Sequence, residues 1–313
     1  MNKSEEIIAI DVKNLSKSYG NLKAVDNINF QVPKNEIFGF LGPNGAGKTT
    51  TTRMLTGVFP PDSGDISVCG FDIINNTLQA KMKMGVVPEL ANAYMDLTAI
   101  ENILFMAQMY GITGKKVKSK AKNLLDTFGL IERKDNKIKQ FSKGMKQRVI
   151  ICMALINEPE ILFLDEPTSG LDVQSRRLIR KEIKRLNKEG TSVFLTTHNI
   201  NEANQLCDRI AIMNKGKIAA IDSPENLKNE FKKSQSVEVS FKNKKIPDLK
   251  NLDSVNHVEK RGDKYKLYTS DPSLVVEEII EIIKDKDIKI NSIRTIGPEL
   301  EEVFVSLTGG EGK

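Results

Sequence analysis

Residues 42–50 read Gly-Pro-Asn-Gly-Ala-Gly-Lys-Thr-Thr and satisfy the phosphate-binding pattern G-x-x-x-x-G-K-[ST], closing on Gly47, Lys48 and Thr49. The chemistry such a pattern performs is phosphate capture. Glycine at Gly42, Gly45 and Gly47 lets backbone N–H groups turn toward phosphate oxygens, with Pro43, Asn44 and Ala46 completing the loop. A helix opening at Thr50 would add its N-terminal dipole. Lys48 is the residue type that reaches β- and γ-phosphates, and Thr49 the type that holds Mg²⁺. The flanks agree: Glu36-Ile-Phe-Gly-Phe-Leu41 is strand-like, and Thr50-Thr-Thr-Arg-Met-Leu-Thr56 can begin a helix. A glycine-rich turn that binds nothing would not need strand, lysine, hydroxyl and helix in register. The chain is expected to bind a nucleoside triphosphate.

A second constellation lies at Asp165 and Glu166, which follow the apolar run Ile161-Leu-Phe-Leu164 and so project from the end of a buried strand. Ligands and catalytic groups gather at the carboxyl ends of such strands. Asp165 would orient Mg²⁺ or its bound water, and Glu166 would polarise the water that attacks a γ-phosphate. The competing reading is an Asp-Glu helix cap ahead of Pro167. The phosphate loop elsewhere in the chain weighs against it. His198 stands thirty-two residues after Glu166, behind the strand Val193-Phe-Leu-Thr-Thr197, and is one of two histidines, the other being His257. A structural histidine is the bland alternative. At a strand end beside the acidic pair, it could donate to a γ-phosphate oxygen and hold Glu166.

The elements that must position these residues follow from hydrophobic periodicity. Strands are expected at Ile7–Val12, Val25–Val32 and, after an Asp62-Ser-Gly-Asp65 turn, Ile66–Cys69. Helices are expected over 98–110, 115–129 and 143–156, three in a row that read as an inserted helical subdomain. Beyond Glu160–Asp165 come a charged helix at Val173–Glu189, a strand at Ser192–Thr196, a helix near Asn201–Leu206, and strands near Arg209–Met213 and Lys217–Ile221. Strands alternating with helices argue for an α/β fold, a parallel sheet covered by helices. Pro224 opens a short helix, and the pattern changes around Phe231–Ser236. The expected division is therefore residues 1–234, with a helical subdomain over about 90–158, and residues 235–313. The second part reads as a small α+β domain: strands at 237–241, 254–260 and 263–269 with a Gly262-Asp263 turn, a helix at Leu274–Ile283, a strand at Ile288–Ile296, and a closing helix from Pro298 to Leu307.

Composition limits the alternatives. The chain has 313 residues, 39% of them hydrophobic, and its longest apolar run is the eight residues Val149–Ile156. A membrane span needs about twenty, and the first residues lack the apolar core of a signal peptide. Cys69, Cys152 and Cys207 show no metal or redox spacing, as expected of reduced thiols in the cytosol. The net charge of +6 is uneven, with twelve Lys/Arg against three Asp/Glu between Lys115 and Arg148. Such a run suits a solvated helix face or an anionic membrane surface. It lacks the interleaved aromatics and motifs of a nucleic-acid binder, although charge alone does not choose.

Taken together, the residues resemble the ATP-binding subunits of ABC transporters over roughly residues 5–230. The parts occur in the family's order: Tyr19 at the place of the aromatic that stacks on adenine, residues 42–50, Phe141-Ser-Lys-Gly-Met-Lys-Gln-Arg148 at the signature, Ile161–Pro167, Ser169-Gly-Leu-Asp172 at the loop that crosses the dimer interface, and His198 as the switch histidine. The resemblance implies a P-loop NTPase domain of ABC type that binds ATP and Mg²⁺ and hydrolyses ATP. It also implies a head-to-tail dimer, homo- or heteromeric, in which Ser142 and Gly144 of one copy meet the γ-phosphate held by the other. Two positions depart from the family. The usual Leu-Ser-Gly-Gly-Gln is Phe141-Ser-Lys-Gly-Met145, and the glutamine that links Mg²⁺ to the coupling surface is Glu89. Both departures, and the tail Gly297–Thr308, look like exporter ATPases of the daunorubicin-resistance and sodium-efflux type. This implies a separate membrane-spanning partner, a place at the cytoplasmic face of the membrane, and no nucleic acid. The alternative class is an ABC ATPase acting on ribosomes or nucleic acid. Ribosome-acting members usually carry two nucleotide domains and chromosome-type members a long coiled coil, neither of which is seen here. A GTPase would want an Asn-Lys-x-Asp motif, which is also missing.

Overall fold

Alternating burial builds the first hairpin, β1 (Ile8–Tyr19) with β2 (Leu22–Pro33), in the computed structural model, which describes residues 7–89, 93–230, 235–242, 247–284, 288–297 and 299–309. Strand β1 runs seven residues past the expected Val12. Its register shifts between Val12 and Leu15, with Asn14 at φ 52°, and this bulge breaks the period of two that would have revealed the continuation. The same irregularity alters the expected turn at Asp62–Asp65. Strand β4 (Ser63–Val68) already pairs with β1 there, and Gly64 at φ 95° lies against the backbone of Lys13 and Asn14.

After β3 (Ile37–Leu41), buried at every position, comes α1 (Lys48–Leu55). Three short elements follow that periodicity did not disclose: β5 (Phe71–Asp72), α2 (Thr77–Met82) and β6 (Met84–Val87). Next come α3 (Ala99–Met109), α4 (Lys115–Thr127) and α5 (Lys143–Leu155), which pack on one another. A full capping box closes the start of α3, where Thr98 accepts from the Glu101 N–H and Glu101 accepts from that of Thr98. The apolar run Val149–Ile156 falls in and just after α5 and is buried on all sides, which accounts for its continuity. Of the basic run, Lys120 serves structure: its Nζ donates to the Ile156 carbonyl at 2.6 Å and pairs with Glu158.

The remaining elements of this part are β7 (Ile161–Asp165), α6 (Val173–Lys188), β8 (Ser192–Thr197), α7 (Ile200–Leu206), β9 (Arg209–Asn214) and β10 (Lys217–Asp222). They form a six-stranded sheet in the order β10-β9-β3-β8-β7-β6, with β6, β7, β8, β3 and β9 parallel. A four-stranded antiparallel sheet, β2-β1-β4-β5, supplies the second layer. Phe30 of β2 joins the two. Its ring stacks on Phe38 at 5.6 Å and lies 5.5 Å from Phe40 and 6.2 Å from Phe194.

The chain divides into two compact units, Met1–Ile221 and Asp222–Lys313. Helix α8 (Pro224–Glu230) falls in the second unit rather than before a boundary at 234, because it packs on α10 (Leu300–Thr308). The rest of that unit is β11 (Gln235–Phe241), β12 (His257–Arg261), β13 (Lys264–Thr269), α9 (Pro272–Lys284) and β14 (Ile290–Ile296), in an antiparallel sheet β12-β13-β11-β14. Helix α9 covers its core of Val237, Val239, Leu267, Val275 and Ile279. Glu299 occupies the N-cap position of α10, which opens at Leu300, whereas Pro298 lies outside the described residues.

Phe30 is 6% exposed and touches aromatic rings on β3 and β8. Phe30→Ala should therefore lower stability by about 3–5 kcal/mol. Urea unfolding followed by circular dichroism checks this, and a loss below about 1 kcal/mol would show that the two layers do not depend on this ring.

Candidate active site

The phosphate loop lies between both sheets. Ala46 accepts from the Gly216 N–H at 3.0 Å, and the Gly216 carbonyl accepts from Asp26 of β2 at 2.8 Å, so the β9–β10 turn ties the loop to the antiparallel layer. Gly47 sits at φ 108°, where a Cβ would strike the Ala24 carbonyl and lie 2.7 Å from Met213 Cε. Glycine is required there by backbone and by space. Helix α1 begins one residue later, at Lys48, two residues before the expected Thr50. Its first turn carries no acidic residue, and Lys48, Thr49 and Thr50 stand at its positive end. Lys48 is 7% exposed, and its Nζ donates to the carbonyls of Gly42 at 2.7 Å and Pro43 at 3.1 Å. Burial lowers its pKa, and the carboxylates Glu166, Asp165 and Glu89 oppose that shift.

Strands β7 and β8, adjacent and parallel, bring the acidic pair and the histidine together. Asp165 ends β7, is 5% exposed, and accepts a short hydrogen bond from Thr196 Oγ1 of β8. Burial pushes its carboxyl above the usual range, against that hydroxyl and Lys48; Glu89 adds to the rise. Glu166 turns into the left-handed region at φ 50°. Its N–H reaches the Thr196 carbonyl at 3.0 Å, and its own carbonyl takes the Ser169 N–H at 3.2 Å. These bonds hold a conformation that otherwise costs a non-glycine residue about 1–2 kcal/mol. Glu166 Oε1 accepts from the His198 N–H at 2.8 Å and lies 2.7 Å from His198 Nδ1. Burial raises the Glu166 carboxyl too, with His198 and Lys48 opposing.

These groups line one cleft of about 350 Å³. Asn44, Gly45, Gly47, Lys48, Thr49 and Thr50 form its floor, and Glu89, just beyond β6, joins Asp165, Glu166 and His198 on one wall. Tyr19, Leu22 and Ala24 of the first hairpin contribute to the lining as well. The Tyr19 ring is half exposed and meets Phe59 edge-on at 6.3 Å. Gly42, Pro43 and Ala46 belong to the loop but do not line the cleft.

Ser142, Gly144 and Asp172 do not line this cleft. Ser142 caps α5, accepting from the Met145 N–H at 3.3 Å. Gly144 lies so close to Ser175 that a Cβ would reach its side chain and come within 3.2 Å of Asp172 Oδ2. Asp172 caps α6 through the Ser175 N–H and hydroxyl, both at 2.8 Å, and these bonds hold its carboxyl below the usual range. The three residues thus gather where α5 and α6 begin.

Two contributors escaped the sequence reading. Thr196 belongs to an expected strand, but nothing in its spacing shows that it faces Asp165. Glu202, on α7, is buried among Thr168, Thr197 and Arg180, although a polar residue in a seven-residue helix gives no sign of burial. Burial pushes the Cys69 thiol up to about 11 and raises Cys152 and Cys207 as well, away from the range of a reactive thiolate.

Residues 25–169 match the ABC transporter family. Linearmycin resistance ATP-binding protein LnrL of Bacillus subtilis (strain 168) is 37% identical over 305 residues, covering 96% of this chain and 98% of that protein. Nod factor export ATP-binding protein I of Rhizobium meliloti (strain 1021) is 35% identical over 306 residues, covering 98% and 90%. Among solved structures, the ATP-binding subunit of an ABC transporter aligns with TM-score 0.66 and 29% identity, over 71% of this chain and 93% of that one. A dimeric ATP-binding cassette in a post-hydrolysis state, bound to ADP and Pi, aligns with TM-score 0.63 and 28% identity, over 68% and 98%. The cassettes stop short of the full chain, whereas the two relatives align along nearly all of it, including most of the second unit. A phosphate loop set between these two sheets, with kinship running almost from end to end, makes the chain a member of the ABC transporter ATP-binding family.

Proposed function

We propose that the chain is the ATP-hydrolysing subunit of an exporter and works at the cytoplasmic face of the membrane through a separate membrane-spanning protein. The observation that carries the catalytic part is Glu166, its side chain 9% exposed, held by His198 and lining the cleft that contains Lys48. ATP enters with its adenine against Tyr19 and its phosphates on the Gly42–Thr50 loop, where Lys48 exchanges its carbonyl partners for β- and γ-phosphate oxygens. Both bonds to Glu166 fall on Oε1, which leaves Oε2 to take the proton of the attacking water. His198 holds Glu166 through Nδ1, and donating to the γ-phosphate through Nε2 at the same time requires a second ring proton.

The oxygen donors Thr49, Asp165 and Glu89 suit a hard cation, and two carboxylates beside a phosphate site fit Mg²⁺, which takes few protein ligands alongside substrate phosphates. When bound, Mg²⁺ would neutralise charge on the phosphate oxygens. Ser142, Gly144 and Asp172, gathered outside the cleft, are suited to complete the site of a second copy across a head-to-tail dimer. The dimeric ADP-and-Pi cassette supports this reading.

For the membrane partner, support comes from a largely apolar groove of about 370 Å³ between the helices and the sheet. Val58, Leu78 and Met109 line it while 65–72% exposed, and Met84 and Val86 of β6 contribute to its wall. A groove of this size suits an apolar helix. Because β6 leads directly to Glu89 in the cleft, a partner seated here would be coupled to the nucleotide. Relatives described as resistance and export proteins favour export over action on ribosomes or nucleic acid.

Glu166→Gln should trap an ATP-bound dimer in Mg-ATP and lower hydrolysis by about a hundredfold or more. Size-exclusion chromatography with a phosphate-release assay checks this, and a monomeric variant or one with the parental rate rejects the role. Lys48→Ala should abolish ATP binding, measured by calorimetry; undiminished affinity would remove the loop assignment. The same carboxyl links to stability. Its folded pKa lies above the usual 4.5, so the folded state binds more protons than the unfolded one in the window just above that value. The resulting stabilisation is full below the unfolded pKa and is lost as pH rises through the folded one. Glu166→Gln should therefore melt at a higher temperature than the parent at pH 7, with the gap closing near pH 4. A gap independent of pH would contradict the buried charge.

A further inference from the structure

We propose that Glu202 is a positioning residue for hydrolysis, a buried carboxylate that fixes the backbones on both sides of the Glu166–His198 pair; the proposal rests on the catalytic reading of that pair. Glu202 is 1% exposed on α7, four residues beyond His198. Its Oε1 accepts from Thr168 Oγ1 at 2.5 Å and from Arg180 Nε at 3.1 Å, and its Oε2 accepts from Thr197 Oγ1 at 3.0 Å. Thr168 stands two residues after Glu166, and Thr197 immediately precedes His198. Arg180 comes from α6, the helix capped by Asp172. One carboxylate thus joins the loop that follows Glu166, the strand end that carries His198, and the helix behind both.

The direct link between Glu166 and His198 needs this support. The imidazole is 56% exposed, so packing constrains it little, and Glu166 holds a left-handed backbone. Thr168 and Thr197 are 3% and 0% exposed, and their hydroxyls donate to the same carboxylate. A displacement of the Thr168 loop relative to the end of β8 would therefore break a charge-assisted hydrogen bond. Stability alone does not explain the arrangement, because an apolar side chain of similar volume in place of a buried ion pair is often neutral or stabilising. What the carboxylate supplies and an apolar residue cannot is a fixed distance between the Thr168 loop and the end of β8 at Thr197.

The test uses the full chain and two substitutions that act on opposite ends of one bond, Glu202→Gln and Thr168→Val, with Thr168→Ser as the conservative restoration. With two histidines in the chain, the His198 ring resonance is assigned in proton–carbon NMR spectra by removing His257. Both disruptive variants should lose about tenfold or more in kcat while ATP affinity stays within about twofold, since a small misplacement costs rate rather than binding. Each should shift or broaden the His198 resonance, and Thr168→Ser should restore both readouts. Unchanged kcat with an unmoved His198 resonance overturns the proposal, even if the melting temperature falls. So does a loss of rate without movement of that resonance, or a matching loss of ATP affinity. If Glu202→Gln fails to fold, the Thr168 pair decides. A parental chain that does not hydrolyse ATP, or a Glu166→Gln variant with parental rate, would instead refute the catalytic reading, while the His198 resonance would still report on the clamp.

Discussion

Three charges of the cleft are held against the preference of their surroundings, and much of the first unit can be understood as the means of doing so. Burial lowers the pKa of Lys48 and raises those of Asp165 and Glu166, while the charges partly offset one another. Each shift is opposed by groups of the same cleft: the carboxylates for Lys48, Thr196 and Lys48 for Asp165, and His198 and Lys48 for Glu166. The parallel pairing of β7 with β8 fixes the acids beside Thr196 and His198. The β9–β10 turn and β2 fix the loop that carries Lys48. Phe30, stacked across the interface of the sheets, keeps those two supports in one frame. A triphosphate with its cation suits such a site, because it brings a compact set of opposite charges to groups already oriented.

How much of this was legible follows from how local each signal is. The loop at 42–50 could be read because its requirements fall within nine consecutive residues between a strand and a helix. Asp165, Glu166 and His198 could be read because each ends an apolar run, and a parallel sheet gathers such ends. The distal half of β1 was hidden by a bulge that shifts the alternation at Asn14. Strand β6, four residues at the edge of the sheet, was too short to announce itself except through the motif leading to Glu89. Glu202 was illegible for a different reason. Thr168 and Arg180 lie 34 and 22 residues away, and only the folded topology shows that one buried carboxylate serves both. Ser142, Gly144 and Asp172 were singled out through family resemblance alone, and within one chain they cap and pack the starts of α5 and α6.

The cleft and the apolar groove are two faces of one unit, joined by β6. Met84 and Val86 contribute to the groove, and a turn later Glu89 stands among the charged groups around Lys48. A carboxylate at that position makes the connection electrostatic as well as mechanical. On the proposed reading, a partner that displaced β6 would alter the field of Glu89 at Lys48 and Asp165, and a change in charge at the nucleotide would act back on the strand. Such reciprocity is what thermodynamic linkage demands of a coupled pair of sites. In this account hydrolysis and membrane work are bound to the same short strand.

The claim at the centre is that this ATPase serves a separate membrane protein docked on the groove. The most direct measurement is to tag the chain, solubilise its native membranes gently, and identify by mass spectrometry what co-purifies, with Leu78→Asp and Met109→Asp in parallel. The account predicts a stoichiometric multi-span membrane protein that is lost when charge enters the groove. Ribosomal or nucleic-acid-associated partners in its place, with no membrane protein, would contradict it.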